Sequence, residues 1–150
     1  MTPMPFQTRR RVEFGDTDMA GIMHFSNFFR FMEVAETDFL QSLGLSVAWQ
    51  QGDDHFGFPR VAAACDYFKP ARFGDTLTIG VTVEKIGTKS LTHRFDFHCD
   101  GQVIAVGRIT AVFCRKPPNL PMESVEIPPA IRALLESRPS NPPRDHGTAS

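Results

Sequence analysis

The alternation of polar and apolar residues predicts a strand near the start of the chain and a long helix after it. Residues 8–15 alternate charged and apolar side chains, and a period of two is typical of a half-buried strand. Across residues 26–43 the apolar side chains recur at helical spacing, which predicts a helix with one wide, deeply packed aromatic face. The members of that face are Phe28, Phe31, Met32, Ala35 and Phe39.

Local signals give the limits of this helix. Ser26 is a plausible N-cap, because its side chain can accept a hydrogen bond from a free backbone N–H group, and Gly44 is a plausible stop. The segment 16–24 before the helix has two aspartates and a glycine without any sustained period, which is typical of a loop. The charged residues of the helix are expected to lie mostly off its apolar face: Arg30, Glu33, Glu36 and Asp38.

From Phe56 onward the sequence predicts β structure. β-branched and aromatic residues dominate four segments that are separated by turn residues, namely 58–68, 76–86, 89–99 and 102–115. The pair Asp100-Gly101 predicts a tight type I′ hairpin turn, since both residues tolerate a positive φ. Residues 46–54 fit either a short helix or a loop, and residues 129–137 fit a short helix.

These elements predict an α+β domain in which a curved antiparallel sheet of about five strands wraps one long central helix. The aromatic face of this helix must be buried, and the sheet is the only predicted element that can cover it. A curved sheet also leaves edge strands exposed, so we expect the protein to self-associate. Residues 1–137 are predicted to form this single domain, and the polar, proline-rich residues 138–150 a disordered tail.

Composition excludes several classes of function. The 150-residue chain has a formal net charge of −1, which argues against a nucleic-acid or anionic-membrane partner. Three cysteines without CxxC spacing do not suggest a disulfide framework or a zinc site, and they fit a reducing compartment. With no apolar run long enough for a signal peptide or a membrane helix, we expect a cytoplasmic protein.

The loop before the long helix concentrates candidate chemistry, with Asp16, Asp18 and His24 close to the helix start. Free N–H groups at a helix N-terminus can stabilise an oxyanion, and a carboxylate within reach of the same carbonyl can act as nucleophile or general base. This arrangement suits acyl transfer to water. The residues alone favour a simpler interpretation, in which both aspartates form turns and Ser26 caps the helix. They do not choose between Asp16 and Asp18, and they give little support to a metal site.

Residues 12–33 (VEFGDTDMAGIMHFSNFFRFME) combine a strand ending in D-x-D, a glycine-containing turn, an asparagine in the first helical turn and a later acidic residue. This segment resembles the signature of the hotdog-fold thioesterases, and in particular the 4-hydroxybenzoyl-CoA thioesterase-like acyl-CoA hydrolases. Residues 66–75 are similar to the strand of that family that carries P-A-x-x-G/D-D, and Lys89-Ser90 to its K-S pair. The resemblance covers roughly residues 9–115.

The resemblance implies a hotdog fold and a hydrolase that needs no cofactor and cleaves an acyl-CoA thioester to a free acid and CoA. Asp18, the second aspartate of D-x-D, would attack the thioester carbonyl or activate a water molecule. The backbone N–H near Phe25 would polarise that carbonyl, while Gly21 permits the close turn. Asp16 would then be a structural residue that fixes the loop.

The resemblance also implies roles in substrate binding. Glu33 occupies an acidic position that is Asp in the hydroxybenzoyl-specific enzyme, where it contacts the ring hydroxyl, and Glu here weighs against that substrate. Lys89, with Ser90, would bind CoA from a neighbouring subunit of a homodimer or homotetramer with active sites at the subunit interface. His24 would orient the substrate, act as an acid for the leaving thiolate, or cap the loop.

Two other functions fit the same residues. A hotdog dehydratase or hydratase would use His24 with Glu33 or Glu36, and a non-catalytic module would only bind the acyl thioester. The sequence leaves open whether the acyl group is aromatic or a short to medium aliphatic chain. It also leaves open whether the carrier is CoA or an acyl carrier protein.

Overall fold

The protein folds into a mostly antiparallel sheet with a long helix on one face, together with a second, smaller sheet. The computed structural model describes residues 6–137 and 144–146. The helices are α1 (Asn27–Ser42) and α2 (Pro129–Glu136), and no helix in this part of the chain is long and apolar enough to cross a membrane. The strands are β1 (Phe6–Arg11), β2 (Ala48–Gln51), β3 (Asp54–Gly57), β4 (Arg60–Tyr67), β5 (Thr76–Ile86), β6 (Ser90–Cys99), β7 (Gln102–Val112), β8 (Cys114–Lys116), β9 (Glu123–Ser124) and β10 (Arg144–His146).

The main sheet has six strands in the order β10-β1-β5-β6-β7-β4, where about five were expected. The sixth strand, β10, pairs in parallel with β1, whereas the other neighbours are antiparallel. It belongs to the stretch predicted to be a disordered tail, of which residues 138–143 and 147–150 lie outside the described residues. Since β10 covers the edge of β1, the open edge of this sheet is β4.

The smaller sheet has the order β2-β3-β8-β9, and most of it was not predicted. Residues 46–54, expected to be a short helix or a loop, instead contribute to the β2–β3 hairpin. Trp49 stacks on Phe56 and Phe113 with 5.8 Å between ring centroids in each pair, so aromatic contacts across the sheet stabilise this hairpin. The predicted strand 102–115 is divided at Phe113, because β8 leaves the main sheet to pair with β3.

Helix α1 packs its predicted aromatic face into the hydrophobic core. The five residues predicted for that face, Phe28, Phe31, Met32, Ala35 and Phe39, are all buried, which confirms the helical period. Gly107 of β7 lets the helix approach the sheet closely, since a Cβ at this position would lie 2.6 Å from the Met32 Sδ atom. The predicted hairpin turn is also confirmed, with positive φ angles at Asp100 and Gly101.

Two charged residues of α1 are buried, and the expectation that they lie off the packed face was wrong. Glu36 and Asp38 are almost inaccessible to solvent. Each has a polar partner that the helical period alone cannot reveal: Arg60 contacts Glu36, and the Thr8 hydroxyl donates to Asp38 Oδ2 at 2.7 Å. His146 of β10 also lies 2.5 Å from Asp38 Oδ2, which ties the C-terminal strand to the helix.

Candidate active site

The loop between β1 and α1 is held in place by Asp16. Its Oδ2 atom accepts a hydrogen bond from the Glu13 N–H at 2.8 Å, which closes a short 3-10 turn. Its backbone carbonyl accepts two more, from the His24 N–H at 2.8 Å and from Asn27 Nδ2 at 2.8 Å. Asp16 therefore connects the strand end, the loop and the first residue of the helix, and these contacts support the structural role expected for it.

Asp18 has a different environment. Its Oδ1 atom accepts the Ala20 N–H at 2.8 Å and, more weakly, the Ile22 N–H at 3.4 Å. Its Oδ2 atom has no hydrogen-bond partner among residues 6–137 and 144–146, and the residue is only half-buried. Gly21 donates its N–H to the Asp18 carbonyl at a φ of 80°, a conformation that glycine adopts most readily. The turn therefore holds Asp18 in position through one oxygen and leaves the other available.

The start of α1 differs from the prediction at Ser26. This residue occupies the N-cap position, but its side chain makes no capping hydrogen bond to the helix. Its Oγ atom lies 2.8 Å from His24 Nδ1, and its N–H donates to the same nitrogen at 3.2 Å. Because His24 Nδ1 accepts this N–H, a neutral ring carries its proton on Nε2. In the described part of the chain, no three His, Cys, Asp or Glu residues are grouped to bind a metal ion.

Phe25 presents a free backbone N–H group just before the helix. No residue in the described ranges accepts a hydrogen bond from it. The Phe25 side chain is 63% exposed, and its ring stacks on His24 at 4.5 Å. The arrangement leaves a polarised N–H donor next to an exposed aromatic ring, which suits a carbonyl group attached to an apolar substituent.

Tyr67 of β4 supports this segment and was not recognised from the sequence. Its hydroxyl donates to the Phe25 carbonyl at 2.9 Å, and its ring packs edge-on against Phe28 at 5.0 Å. Partial burial raises the pKa of Tyr67 to about 12, so the hydroxyl stays protonated and remains a donor. The signal available in the sequence was that this is the one tyrosine in a chain with fourteen phenylalanines.

Glu33 lies in a cleft of about 390 Å³ that runs along α1 beside the start of β4. Its side chain is exposed. The rest of the lining is mostly polar, with one cation and one aliphatic residue: Thr37, Gln41, Ser46, Val47 and Arg60. The cleft therefore offers a carboxylate acceptor and a guanidinium donor to the same occupant.

Arg60 is held by a buried polar group behind this cleft. Its Nη2 atom donates to Glu36 Oε1 at 2.7 Å, and its Nη1 atom to the Phe58 carbonyl at 3.2 Å. Burial raises the pKa of Glu36, an effect that Arg60 partly offsets. Burial also lowers the pKa of His93 to about 4, and its Nδ1 atom is 4.0 Å from Glu36 Oε2, too far for a hydrogen bond.

Lys89 and Ser90 are not near Asp18 within one subunit. The Asp18 loop lies at the Thr76 end of β5, where the Val12 N–H donates to the Asp75 carbonyl. Lys89 and Ser90 follow the other end of that strand. Eleven residues of extended chain span about 35 Å, so within one subunit Lys89 and Ser90 lie at the far end of β5 from the Asp18 loop.

Comparison with known proteins gives consistent matches over most of the chain. The sequence pattern of the thioesterase-like superfamily matches residues 12–135. A 1,4-dihydroxy-2-naphthoyl-CoA hydrolase of Prochlorococcus marinus is 32% identical over 104 residues, covering 65% of this chain and 69% of that protein. A solved gentisyl-coenzyme A thioesterase is 29% identical with a TM-score of 0.73, covering 86% of this chain and 98% of its own. A 1,4-dihydroxy-2-naphthoyl-CoA thioesterase from Synechocystis is 26% identical with a TM-score of 0.74, covering 87% and 94%.

Proposed function

The chain belongs to the thioesterase-like superfamily, and on this basis we propose that it cleaves a hydroxylated aromatic acyl-CoA thioester into the free acid and CoA. An acyl-CoA thioester hydrolase of the hotdog family was expected from the D-x-D loop, and the family match confirms that class. Two relatives are named for 1,4-dihydroxy-2-naphthoyl-CoA and for gentisyl-coenzyme A. Both acyl groups are hydroxylated aromatic acids, which supports the same substrate class here.

The free N–H of Phe25 beside the helix start is the observation that carries this proposal. A thioester carbonyl that accepts this N–H becomes more electrophilic, and the partial positive charge of the α1 N-terminus stabilises the oxyanion that forms. Asp18 Oδ2 then attacks the carbonyl carbon or removes a proton from an attacking water molecule. In either case the carbon–sulfur bond breaks and the CoA thiolate leaves and takes up a proton. Attack by Asp18 gives an acyl anhydride that water then hydrolyses to the free acid and the Asp18 carboxylate, whereas attack by water gives the free acid directly.

The other residues of the loop support these two groups. Asp16 and Gly21 fix the turn that carries Asp18, and Tyr67 restrains the Phe25 peptide from its carbonyl side. His24 is bound through Nδ1 to Ser26, which fits a residue that shapes the loop and leaves only Nε2–H to face a substrate. A thiolate is a good leaving group and requires little assistance from an acid.

The contacts do not favour a dehydratase. That reaction would use His24 together with an acidic residue of the helix. Glu36 is instead buried against Arg60, while His24 is engaged with Ser26 and stacked on Phe25. No contact in the described residues joins His24 to Glu33 or Glu36, so the acid–base pair that dehydration requires is not assembled within one subunit.

We propose that the active enzyme is a homodimer or homotetramer with its active sites at the subunit interface. Strand β4 is the open edge of the main sheet, and nearly all of its residues are exposed. Large apolar side chains next to β4 and the loop are also exposed, namely Phe14, Met19, Val61, Phe68 and Phe73. Lys89 and Ser90 would bind CoA from a neighbouring subunit. A cytoplasmic location stays a prediction.

Thiol release tests the assignment of Asp18. Purified protein would be assayed with a panel of hydroxylated aromatic, unsubstituted aromatic and aliphatic acyl-CoAs, with Asp18→Asn beside wild type. Asn keeps the Oδ1 acceptor that orders the turn but removes the negative charge, so the fold should survive. We expect kcat to fall at least about a hundredfold, as is usual when a principal catalytic group is lost.

The matched control is Asp100→Asn, the same chemical change in the exposed β6–β7 hairpin. Position 100 has a φ of 50°, which Asn tolerates well, so activity should equal that of wild type. A wild-type protein that cleaves no member of the panel, or an Asp18→Asn variant as active as wild type, would contradict the proposed function.

A further inference from the structure

Arg60 is the first residue of β4 and lines the cleft beside Glu33. We infer that Arg60 is a specificity-determining residue that acts in the active site of the partner subunit. There, Arg60 and Glu33 of the same subunit would bind a hydroxyl group on the acyl ring. The inference rests on the proposed thioesterase function and on dimerisation through β4. It adds a substrate-recognition role for a residue that no sequence motif singled out.

Within one subunit, Arg60 is too distant from the reacting carbonyl to contact an aromatic acyl group. Its partner Glu36 follows Phe25 by eleven residues along α1, which corresponds to about 16 Å at the helical rise per residue. Tyr67, at the other end of β4, is the residue that contacts Phe25. Strand β4 and helix α1 therefore run in opposite directions, with Tyr67 beside the helix start and Arg60 more than two turns further on.

Pairing of two β4 strands changes this relation. An edge strand that pairs with its own copy about a two-fold axis is antiparallel to it. A β-bulge between Arg60 and Ala62 leaves Arg60 and Tyr67 each three ladder positions from Ala64, so a two-fold axis that passes through Ala64 places Arg60 of one subunit opposite Tyr67 of the partner subunit. Both side chains contact α1 in their own subunit, so they project from the same face of the sheet. A two-fold axis perpendicular to the sheet keeps that face common, which brings Arg60 beside the partner's helix start.

The open edge of β4 is suited to pairing with a second copy of the chain. The opposite edge of the main sheet is covered by β10, and β4 has no neighbour on its outer side among the described residues. Its backbone N–H and C=O groups on that side are available for a new ladder of hydrogen bonds. Val61 at 62% exposure and Phe68 at 61% add apolar surface at both ends of the strand, and a second copy would cover them symmetrically.

The polar groups of the cleft match a phenolic hydroxyl. Such a group donates one hydrogen bond and accepts others, so it can donate to the Glu33 carboxylate and accept from Arg60 at the same time. Two guanidinium nitrogens already bind Glu36 and the Phe58 carbonyl, which fixes the orientation of the remaining N–H groups before substrate arrives. A ring without a hydroxyl would leave the Glu33 carboxylate and the remaining N–H groups of Arg60 without a hydrogen bond from the substrate, and this difference gives selectivity.

The first test measures selectivity rather than activity alone. We would compare kcat/KM for gentisyl-CoA with kcat/KM for benzoyl-CoA in wild type and in Arg60→Met. The ratio should fall roughly ten- to hundredfold, as expected for the loss of a hydrogen bond from a charged group. Arg108→Met is the matched control, because Arg108 pairs with Glu84 away from the cleft. Its ratio should equal that of wild type.

A second variant separates loss of selectivity from loss of folding. It is needed because Arg60→Met alone leaves Glu36 buried without its cation. The double variant Arg60→Met/Glu36→Gln removes that charge, and its ratio should fall as far as that of Arg60→Met. An unchanged ratio in folded variants would overturn the role of Arg60. In that case, Asp18-dependent cleavage by wild type would leave the proposed function standing, whereas a wild type without thioesterase activity would remove both.

The second test asks which subunit supplies Arg60. Asp18→Asn and Arg60→Met chains with different tags would be co-expressed, and the mixed dimers would be isolated. If Arg60 acts in the partner's site, a mixed dimer contains one site with both substitutions and one intact site, so it should show about half the wild-type gentisyl-CoA activity. If Arg60 acts in its own subunit, no site is intact, and activity no higher than the average of the two parent proteins would overturn the inference.

Discussion

At the scale of single residues, the two aspartates of the loop show what a motif can and cannot assign. Resemblance to the family selected Asp18, and the hydrogen bonds of Asp16 to Glu13, His24 and Asn27 support the choice. Both aspartates could be located from the sequence, because the motif is local. Tyr67 could not, since its contact with Phe25 spans 42 positions and depends on the arrangement of the sheet.

The buried His93 makes stability depend on pH. Burial lowers its pKa from 6.5 to about 4, so the unfolded chain binds a proton in this interval that the folded protein does not. Stability is therefore lost as the pH falls from about 6.5 to about 4. In His93→Leu this loss is absent, and between pH 7 and pH 4 the unfolding free energy of the variant should gain about 3 kcal/mol relative to wild type.

Urea unfolding at a series of pH values would measure this difference. His55→Leu, the same change at an exposed position of β3, is the control and should follow the pH dependence of wild type. Parallel curves for wild type and His93→Leu would show that the His93 ring is protonated in the folded state, against the effect of burial.

At the scale of elements, the limits of helix α1 and of several strands followed from period and turn residues. Strand β5 spans residues 76–86 as predicted, and β6 begins one residue later than predicted. The β2–β3 hairpin and the burial of Glu36 did not follow, because both depend on partners far away in the sequence. Local pattern therefore gave the elements with their own periodicity, and missed those stabilised by contacts with other elements.

The close approach of α1 to the sheet depends on Gly107. In Gly107→Ala the new methyl group would collide with the buried Met32 side chain, and overpacking of this kind costs about 1–3 kcal/mol of unfolding free energy. Gly15→Ala is the matched control, since a Cβ at position 15 meets no atom within 4 Å. Thermal and urea unfolding of both variants would measure the difference. Equal stabilities would mean that Met32 moves aside freely.

At the scale of the whole molecule, the strand order determines which edge is free for a partner. Exposed edges and self-association were expected from the sequence, but the edge itself was not, because strand order is set by contacts between distant segments. Strand β10 covers the β1 edge, which leaves β4 beside the candidate active site. The proposed subunit interface and the cleft beside Glu33 therefore lie at the same edge of the sheet.

A charge on the β4 edge should separate the subunits. Val61→Arg removes apolar surface that the interface would bury and places there a cation that must lose its hydration when the two strands pair. We expect sedimentation to show monomers, with thioesterase activity falling in parallel. Val103→Arg, a similar change at an exposed position near the β6–β7 hairpin, should keep the association state of wild type. A Val61→Arg protein that stays associated would show that β4 is not the interface.

The order of the strands also has a consequence for how the chain folds. Strands β5, β6 and β7 are consecutive hairpins, whereas Thr8 of β1 pairs with Ile79 of β5, about seventy positions away. Closing so long a loop costs more entropy than forming a hairpin. The three-stranded meander is therefore expected to gain amide protection first, with β1 docking later together with α1. A chain still emerging from the ribosome would hold its aromatic helix uncovered until the meander had been synthesised.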